Sequence, residues 1–125
     1  MLFRSVYDWL SDRIDAVVAG GVDRVRIIID PGIGFGKAVA ANLAILNGLA
    51  LFHGLGCPIL LGASRKRLIG ALSNEAPVDQ RLGGSIALAL KGAEQGAQII
   101  RVHDVAETVQ ALHIARGMRD AALSG

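Results

Sequence analysis

The sequence predicts an α/β fold in which helices cover a parallel sheet. Three short apolar runs alternate with segments of helical spacing. The runs end near positions 30, 62 and 102, at intervals of about thirty to forty residues, which is the size of a βα unit. The runs are apolar on both faces, and such strands are typical of parallel sheets buried between helices.

The first half of the chain predicts two helices and two strands. Ser5 and Asp8 have the spacing of a capping box, and helical periodicity then continues until Gly20-Gly21. The next run is β-branched and is closed by the turn signal Asp30-Pro31-Gly32. The expected elements are a helix from Ser5 to Gly20, a strand over 25–29, a helix from about 40 to 53 and a strand over 58–61.

The second half predicts one further strand between helices. Helical material begins near Leu68, and the stretch 73–84 is expected to be a loop with a helix restart. A third strand is predicted over 98–102. Asp104 and Glu107 then resemble a capping box, so we expect Asp104 to cap a final helix.

Composition and charge exclude several classes of function. Hydrophobic residues make up 52% of the 125 positions, which indicates a substantial core. The net charge is only +2 and 4% of residues are aromatic, so we do not expect nucleic-acid binding. Cys57 is the only cysteine, which excludes an intrachain disulfide and agrees with a cytoplasmic protein. Neither a signal peptide nor a membrane-spanning segment is expected.

Ionisable or hydrogen-bonding residues follow the carboxyl end of each predicted strand, where parallel α/β folds bind ligands. Asp30 follows the first strand, Ser64 and Lys66 the second, and Arg101 and His103 lie at the end of the third. Positions 101 and 103 share one face of a strand and could meet one ligand. An arginine in an apolar strand carries a large desolvation cost unless it is paired or meets an anion.

Each of these groups also has a purely structural interpretation. Asp30 could serve the turn alone, and His103 could have an ordinary hydrogen-bond partner. Arg65, Lys66 and Arg67 could form a solvated helix end.

The glycine-rich loop GIGFGK over 32–37 does not match a phosphate-binding loop. Pro31 stands where the first glycine of GxxxxGK should be, and Ala38 follows the lysine in place of Ser or Thr. The glycines are expected to permit close approach in a loop at the mouth of the sheet, from which Phe35 projects. No His or carboxylate pair has a metal-ligand spacing, so no metal ligand is predicted in this chain.

Four segments, IIIDPGIGFGK, LLGASRKRLIG, RLGGSIALAL and IIRVHDVAET, resemble in order and spacing the C-terminal part of the dihydropteroate synthase family. The resemblance implies an incomplete TIM barrel: about three βα units and a preceding helix, with residues 1–125 as one partial pterin-binding domain. The family's first five strands have no counterpart among these residues. We therefore expect a truncated chain that is inactive alone.

The resemblance also implies a reaction and partners. Members of the family condense 4-aminobenzoate with (7,8-dihydropterin-6-yl)methyl diphosphate, giving 7,8-dihydropteroate and diphosphate in folate biosynthesis. Mg²⁺ assists in the family, although its protein ligand is not expected in this chain, and the full-length family is expected to form homodimers.

Roles for individual residues follow from the same resemblance. Asp30 would accept paired N–H bonds from the pterin, and Lys66 would hydrogen-bond the pterin ring. Arg101 would stack near the ring and reach the diphosphate, while His103 would hold the leaving diphosphate. The last three are thus the expected catalytic residues. The remaining substrate-binding residues would be Phe35, Gly62, Ser64 and Val102.

One departure from the family pattern and three alternatives accompany this resemblance. Arg67 stands where many relatives have a serine near the aminobenzoate carboxylate. The chain could instead bind pterin or phosphate without catalysis, or be a non-functional remnant that associates through exposed strand edges. A methyltetrahydrofolate-type pterin methyltransferase would share the barrel, but would not be expected to carry SRKRLIG and RVHDV together.

Overall fold

Helices dominate the structure, a computed structural model that describes residues 2–35 and 37–124. Gly36 of the GIGFGK loop lies outside the described residues. Within the described part, two short strands and five α-helices occur: β1 (Leu60–Leu61), β2 (Ile99–Ile100), α1 (Leu2–Ala19), α2 (Val39–Asn47), α3 (Arg67–Leu72), α4 (Leu82–Glu94) and α5 (Val105–Ser124). Short 3-10 helices cover Arg24–Arg26, Leu49–Leu55 and Val78–Gln80.

Three chain segments lie side by side and run parallel. β1 pairs with β2, with Leu60 opposite Ile99 and Leu61 opposite Ile100. On the other side, Ile29 forms a parallel bridge with Ile59. The predicted parallel α/β arrangement is therefore confirmed. The segment of Ile29, β1 and β2 lie next to one another in the order in which they occur along the chain.

The strands are much shorter than predicted. Residues 24–26 form a 3-10 helix where we expected a strand, because the Asp23 carboxylate accepts the Val25 N–H and caps the turn. Of the first run, Ile29 alone forms a bridge. The third strand ends at Ile100, so Arg101 lies beyond it.

The first helix is confirmed, but its predicted capping box is wrong. α1 begins at Leu2, so Ser5 lies inside the helix. The apolar face extends toward this end, because the Phe3 ring packs at a tilt against Phe52, with ring centroids 4.8 Å apart. The helix ends at Ala19, just before Gly20-Gly21, as predicted.

The helix predicted from 40 to 53 is broken at Gly48. α2 ends at Asn47, and the chain continues as the 3-10 helix Leu49–Leu55. A Cβ atom on Gly48 would lie 2.8 Å from the Phe3 ring, so α1 packs here directly on the backbone. The Gln95 side chain replaces helical hydrogen bonds at the break, accepting from Ala50 N and donating to Leu46 O. This tertiary packing overrides the local helical pattern.

The core lies between the sheet and the helices on its face. Its largest fully buried side chains are Phe52, Ile33, Ile45, Leu49, Ile59 and Leu61. The stretch 73–84 was predicted to be a loop with a helix restart. It contains the 3-10 helix Val78–Gln80, and α4 begins within it at Leu82. No helix in the described ranges combines the length and the apolarity needed to cross a membrane.

Candidate functional site at the carboxyl ends of the parallel segments

A cavity of about 330 Å³ opens where β1 and β2 end. It brings together six of the eight residues predicted for the site: Gly62, Ser64, Lys66, Arg101, Val102 and His103. The other two, Asp30 and Phe35, contact residues of this cavity, as described below. Parallel segments of matched register thus place groups from distant parts of the chain around one space.

Asp30 joins the first segment to the third. Its Oδ1 atom accepts the Gly32 N–H at 2.8 Å, so the residue does serve the turn. Its Oδ2 atom lies 3.5 Å from the Arg101 guanidinium, which leaves a loose ion pair. Arg101 was expected to be paired or to meet an anion, and Asp30 is that partner. The Arg101 side chain is 54% exposed, so the desolvation cost is small.

Gly62 forms the floor beneath Arg101. The residue is buried, and a Cβ atom built on it would lie 2.8 Å from the Arg101 Cζ atom. Its backbone lies outside the left-handed region. Glycine therefore allows the close approach of the guanidinium and is not needed here for an unusual backbone conformation.

Lys66 meets the glycine-rich loop. Its Nζ atom lies 4.4 Å from the centroid of the Phe35 ring, within the range of a cation–π contact. Its aliphatic stem passes Gly34, where a Cβ atom would approach Cδ to 3.0 Å. Phe35 is itself 64% exposed, so the Lys66–Phe35 pair lies at the solvent-exposed edge of the cavity.

Asn42 holds this loop in place, and the sequence analysis gave it no role in the site. Its side chain is buried, accepts Gly34 N–H at 3.0 Å and donates to Lys37 O at 3.3 Å. The Lys37 ammonium reaches back to Gly32 O at 2.8 Å. An asparagine surrounded by apolar residues within the helix was the signal that could have found it, since buried amides require partners.

Ser64 and His103 are joined by two contacts. The Ser64 hydroxyl oxygen accepts the backbone N–H of His103 at 3.2 Å. The same oxygen lies 2.9 Å from His103 Nδ1. The ring is therefore fixed from one side, toward the sheet.

Arg65 supports the site through a network that includes Asp104. Its guanidinium forms two hydrogen bonds with the Asp104 carboxylate, at 2.9 and 3.3 Å. The carboxylate raises the pKa of Arg65, against the opposing effect of partial desolvation. Asp104 does precede α5, but its carboxylate binds Arg65, so the capping box does not account for it.

The backbone of Arg65 is strained and held by α4. Its φ of 58° lies in the left-handed region, which is costly for a non-glycine residue. Ser85 Oγ accepts its N–H at 2.9 Å, and Arg81 donates to its carbonyl at 3.0 Å. This network turns the chain so that Lys66 enters the cavity.

The sheet register continues past the strands as side-chain bonds. Partners in the ladder are 39 residues apart, as in Leu60 and Ile99. The Ser64–His103 and Arg65–Asp104 contacts have the same separation of 39 residues. Side chains thus hold the two loops together where the backbone ladder has stopped.

The cations at the start of α3 have different environments. Arg65 is neutralised by Asp104, and Lys66 stands at the N-cap position with its ammonium over Phe35. Arg67, the departure from the family pattern, is exposed at the first position of α3.

The described residues do not form a metal site. Among them, no group of three or more His, Cys, Asp or Glu side chains is placed to hold a metal ion. The carboxylate nearest the cavity, Asp30, is engaged by Arg101 and Gly32. The residues present therefore do not fit Mg²⁺, which prefers carboxylate and water oxygens.

A second groove of about 570 Å³ lies between α1 and the loop after Asp30, and Asp30 and Phe35 line it. Its walls are mostly apolar and include Trp9, Leu10 and Pro31. The sequence analysis did not predict this groove.

Comparison with known proteins gives a consistent match. The family model described as "Pterin binding enzyme" matches residues 1–103. Dihydropteroate synthase of Escherichia coli K12 is 43% identical over 113 residues, which are 90% of this chain and 40% of that protein. Dihydropteroate synthase of Bacillus subtilis is 48% identical over 101 residues, 78% of this chain and 35% of that protein.

Solved structures agree. The Xanthomonas albilineans dihydropteroate synthase in complex with 7,8-dihydropteroate has a TM-score of 0.92 and 43% identity, covering 94% of this chain and 45% of that one. The Yersinia pestis enzyme with a sulfonamide drug also scores 0.92, at 43% identity, covering 97% and 44%. The chain spans about 40% of the length of the curated relatives it matches first. Since the family model matches more than half of its residues, the chain belongs to the family of pterin-binding enzymes.

Proposed function

We propose that this chain supplies part of the active site of a dihydropteroate synthase. The observation that carries the proposal is the convergence of Lys66, Arg101 and His103 on one cavity, with Asp30 paired to Arg101 at its edge. Two cations and an imidazole suit an anionic leaving group, and a carboxylate suits a ligand with paired N–H donors. The substrates would be 4-aminobenzoate and (7,8-dihydropterin-6-yl)methyl diphosphate.

The cations act on the departing diphosphate. The amine of 4-aminobenzoate attacks the methylene carbon, the C–O bond to diphosphate breaks, and the amine loses a proton. Negative charge grows on the diphosphate oxygens as that bond breaks. Lys66, Arg101 and His103 line the space where this charge develops, so they stabilise the transition state more than the substrate.

Asp30 keeps acceptor capacity for the pterin N–H groups, and a shift of Arg101 would free more of it, because an ionised carboxylate has about four acceptor sites. Both carboxylate oxygens are engaged, one by Gly32 N–H and one by the guanidinium. The ion pair is long and Arg101 is half exposed, so parting the two costs at most about 1 kcal/mol. Arg101 can then turn to the diphosphate while Asp30 accepts the pterin N–H groups.

The rest of the proposal concerns the whole protein. We infer that residues 1–125 are one partial domain, with their three parallel segments as consecutive strands of a TIM barrel. The exposed Ile28 and the groove beside α1 favour packing against further strands. The homodimer and the cytoplasmic location remain proposals from the family resemblance. Mg²⁺ is expected for the family only, and no step here depends on it.

A second candidate is binding without turnover. The chain spans about 40% of the length of the relatives it matches, so groups that complete their catalytic sites need not be present. This candidate uses the same four residues and predicts that the chain alone binds diphosphate but releases none from substrate.

The decisive experiment joins this chain to the part of the E. coli dihydropteroate synthase that it does not match. We expect diphosphate release that depends on 4-aminobenzoate, and we expect Lys66→Ala to abolish it. Lys91→Ala, which changes an exposed lysine on α4, is the matched control and should retain full activity. Normal turnover by the Lys66→Ala chimera would contradict the assigned role, and a folded but inactive parent chimera would favour binding alone.

A further inference from the structure

The two ring nitrogens of His103 have different surroundings. Nδ1 lies 2.9 Å from Ser64 Oγ. Nε2, on the far side of the ring, has no hydrogen-bond partner among the residues that the structure describes. A neutral imidazole carries one N–H, so the position of that proton decides whether the ring offers the cavity a donor or an acceptor.

The hydrogen bonds of the Ser64 hydroxyl group determine which tautomer the His103 ring adopts. Its oxygen already accepts the backbone N–H of His103. Ser64 is 7% exposed, so its own O–H needs an acceptor within the protein. Within the described ranges, the acceptor in reach is Nδ1. A proton on Nδ1 would instead give Oγ two N–H bonds and leave the serine proton buried without a partner.

We propose that Ser64 is a positioning residue that fixes His103 as the Nε2–H tautomer, so that a neutral imidazole presents a hydrogen-bond donor to the cavity. Lys66 and Arg101 supply charge there, and His103 supplies a directed N–H. The donor reaches an oxyanion without first taking up a proton. Resting on the proposed function, that oxyanion is an oxygen of the diphosphate group.

The other two histidines provide references in the same molecule. His53 Nε2 lies 2.9 Å from the carbonyl oxygen of Gln95. A carbonyl only accepts, so His53 must carry its proton on Nε2. His113 is exposed on α5 and has no partner within the described residues, so its ring is free to exchange between both tautomers.

The test is a long-range ¹H–¹⁵N correlation spectrum of the 125-residue chain at alkaline pH, where free imidazole is neutral. The His103 signals are assigned as those missing from the spectrum of the His103→Gln variant. We expect His103 to match His53, with a protonated Nε2 and a bare Nδ1. Ser64→Thr and Ser64→Val have similar shapes and differ in the hydroxyl group. Ser64→Thr should retain the His103 pattern of a protonated Nε2 and a bare Nδ1. Ser64→Val should move the His103 signals toward the mixed pattern of His113.

Ser124→Ala, which removes an exposed hydroxyl group at the end of α5, should leave the pattern unchanged. If circular dichroism shows that Ser64→Val is unfolded, the smaller Ser64→Ala takes its place. A wild-type His103 that resembles His113, or a folded hydroxyl-free variant that still matches His53, overturns the inference. Titration with inorganic diphosphate separates the two proposals. If the tautomer is fixed but diphosphate shifts no His103 signal in the folded chimera described above, the role of Ser64 stands and the proposed function fails.

Discussion

Substitution of Gly62 by alanine tests how Arg101 is placed in the cavity. The new methyl group would lie 2.8 Å from the Arg101 Cζ atom and 2.9 Å from Nε, both closer than non-bonded atoms allow. The atoms it meets belong to the end of a flexible, half-exposed side chain. We therefore expect Arg101 to move away while the backbone stays in place.

The effect on stability should be small and the effect on binding large. Alanine restricts the unfolded chain, which stabilises by about 0.4–1 kcal/mol, and loss of the exposed Asp30 pair costs about 0–1 kcal/mol. The free energy of unfolding should thus stay within about 1 kcal/mol of wild type. Hydrogen bonds to a charged ligand contribute about 1.5–3 kcal/mol, so their loss should weaken diphosphate binding about 10- to 100-fold.

Urea unfolding and titration calorimetry with inorganic diphosphate measure the two quantities. Gly117→Ala is the matched control, because a Cβ atom there meets nothing within 4 Å and the position is helical. It should raise stability by up to about 1 kcal/mol and leave binding unchanged. A folded Gly62→Ala chain with wild-type affinity would refute the placement of Arg101, and an unfolded one would refute the expectation that only a side chain moves.

Two further substitutions test the supports of the site. Asn42→Ala should destabilise the chain by about 1–3 kcal/mol, because Gly34 N–H and the Lys37 carbonyl lose their buried partner. It should also speed amide exchange at Gly34, whereas Asn47→Ala, at an exposed position, should do neither. Equal exchange in both variants would exclude Asn42 as the support. Phe52→Ala should cost about 3–5 kcal/mol in denaturant unfolding and Leu51→Ala, at an exposed position, much less; similar losses would contradict the assigned core.

The fold could be predicted from the sequence where pattern and packing agree. The carboxyl end of α1 and the order of the three parallel segments follow from glycine signals and apolar runs. The break at Gly48 could not be predicted, because it depends on the Phe3 ring and on Gln95, which are distant in sequence. The strand predicted over 25–29 is reduced to the bridge at Ile29, because the Asp23 carboxylate caps a 3-10 turn over Arg24–Arg26.

The residues that line the site could be predicted from the sequence better than the residues that hold them in place. Charged residues that follow apolar runs already pointed to Lys66, Arg101 and His103, and the structure brings them to one cavity. The sequence pattern assigned Asp104 to a helix cap, whereas its partner is Arg65, 39 residues away. Pairings of this kind depend on strand register, and periodicity within one segment carries no information about that.

The shared separation of 39 residues constrains how this protein can change its length. Ladder pairs and the two side-chain contacts beyond them all depend on it. Deletion of one residue between positions 61 and 64 would therefore break the Ser64 and Arg65 contacts together while leaving the strands paired. A matching deletion between 100 and 103 would restore both. An insertion or deletion in one of these two loops should therefore be tolerated only when the other loop changes by the same length. A substitution leaves the length unchanged and needs no such compensation.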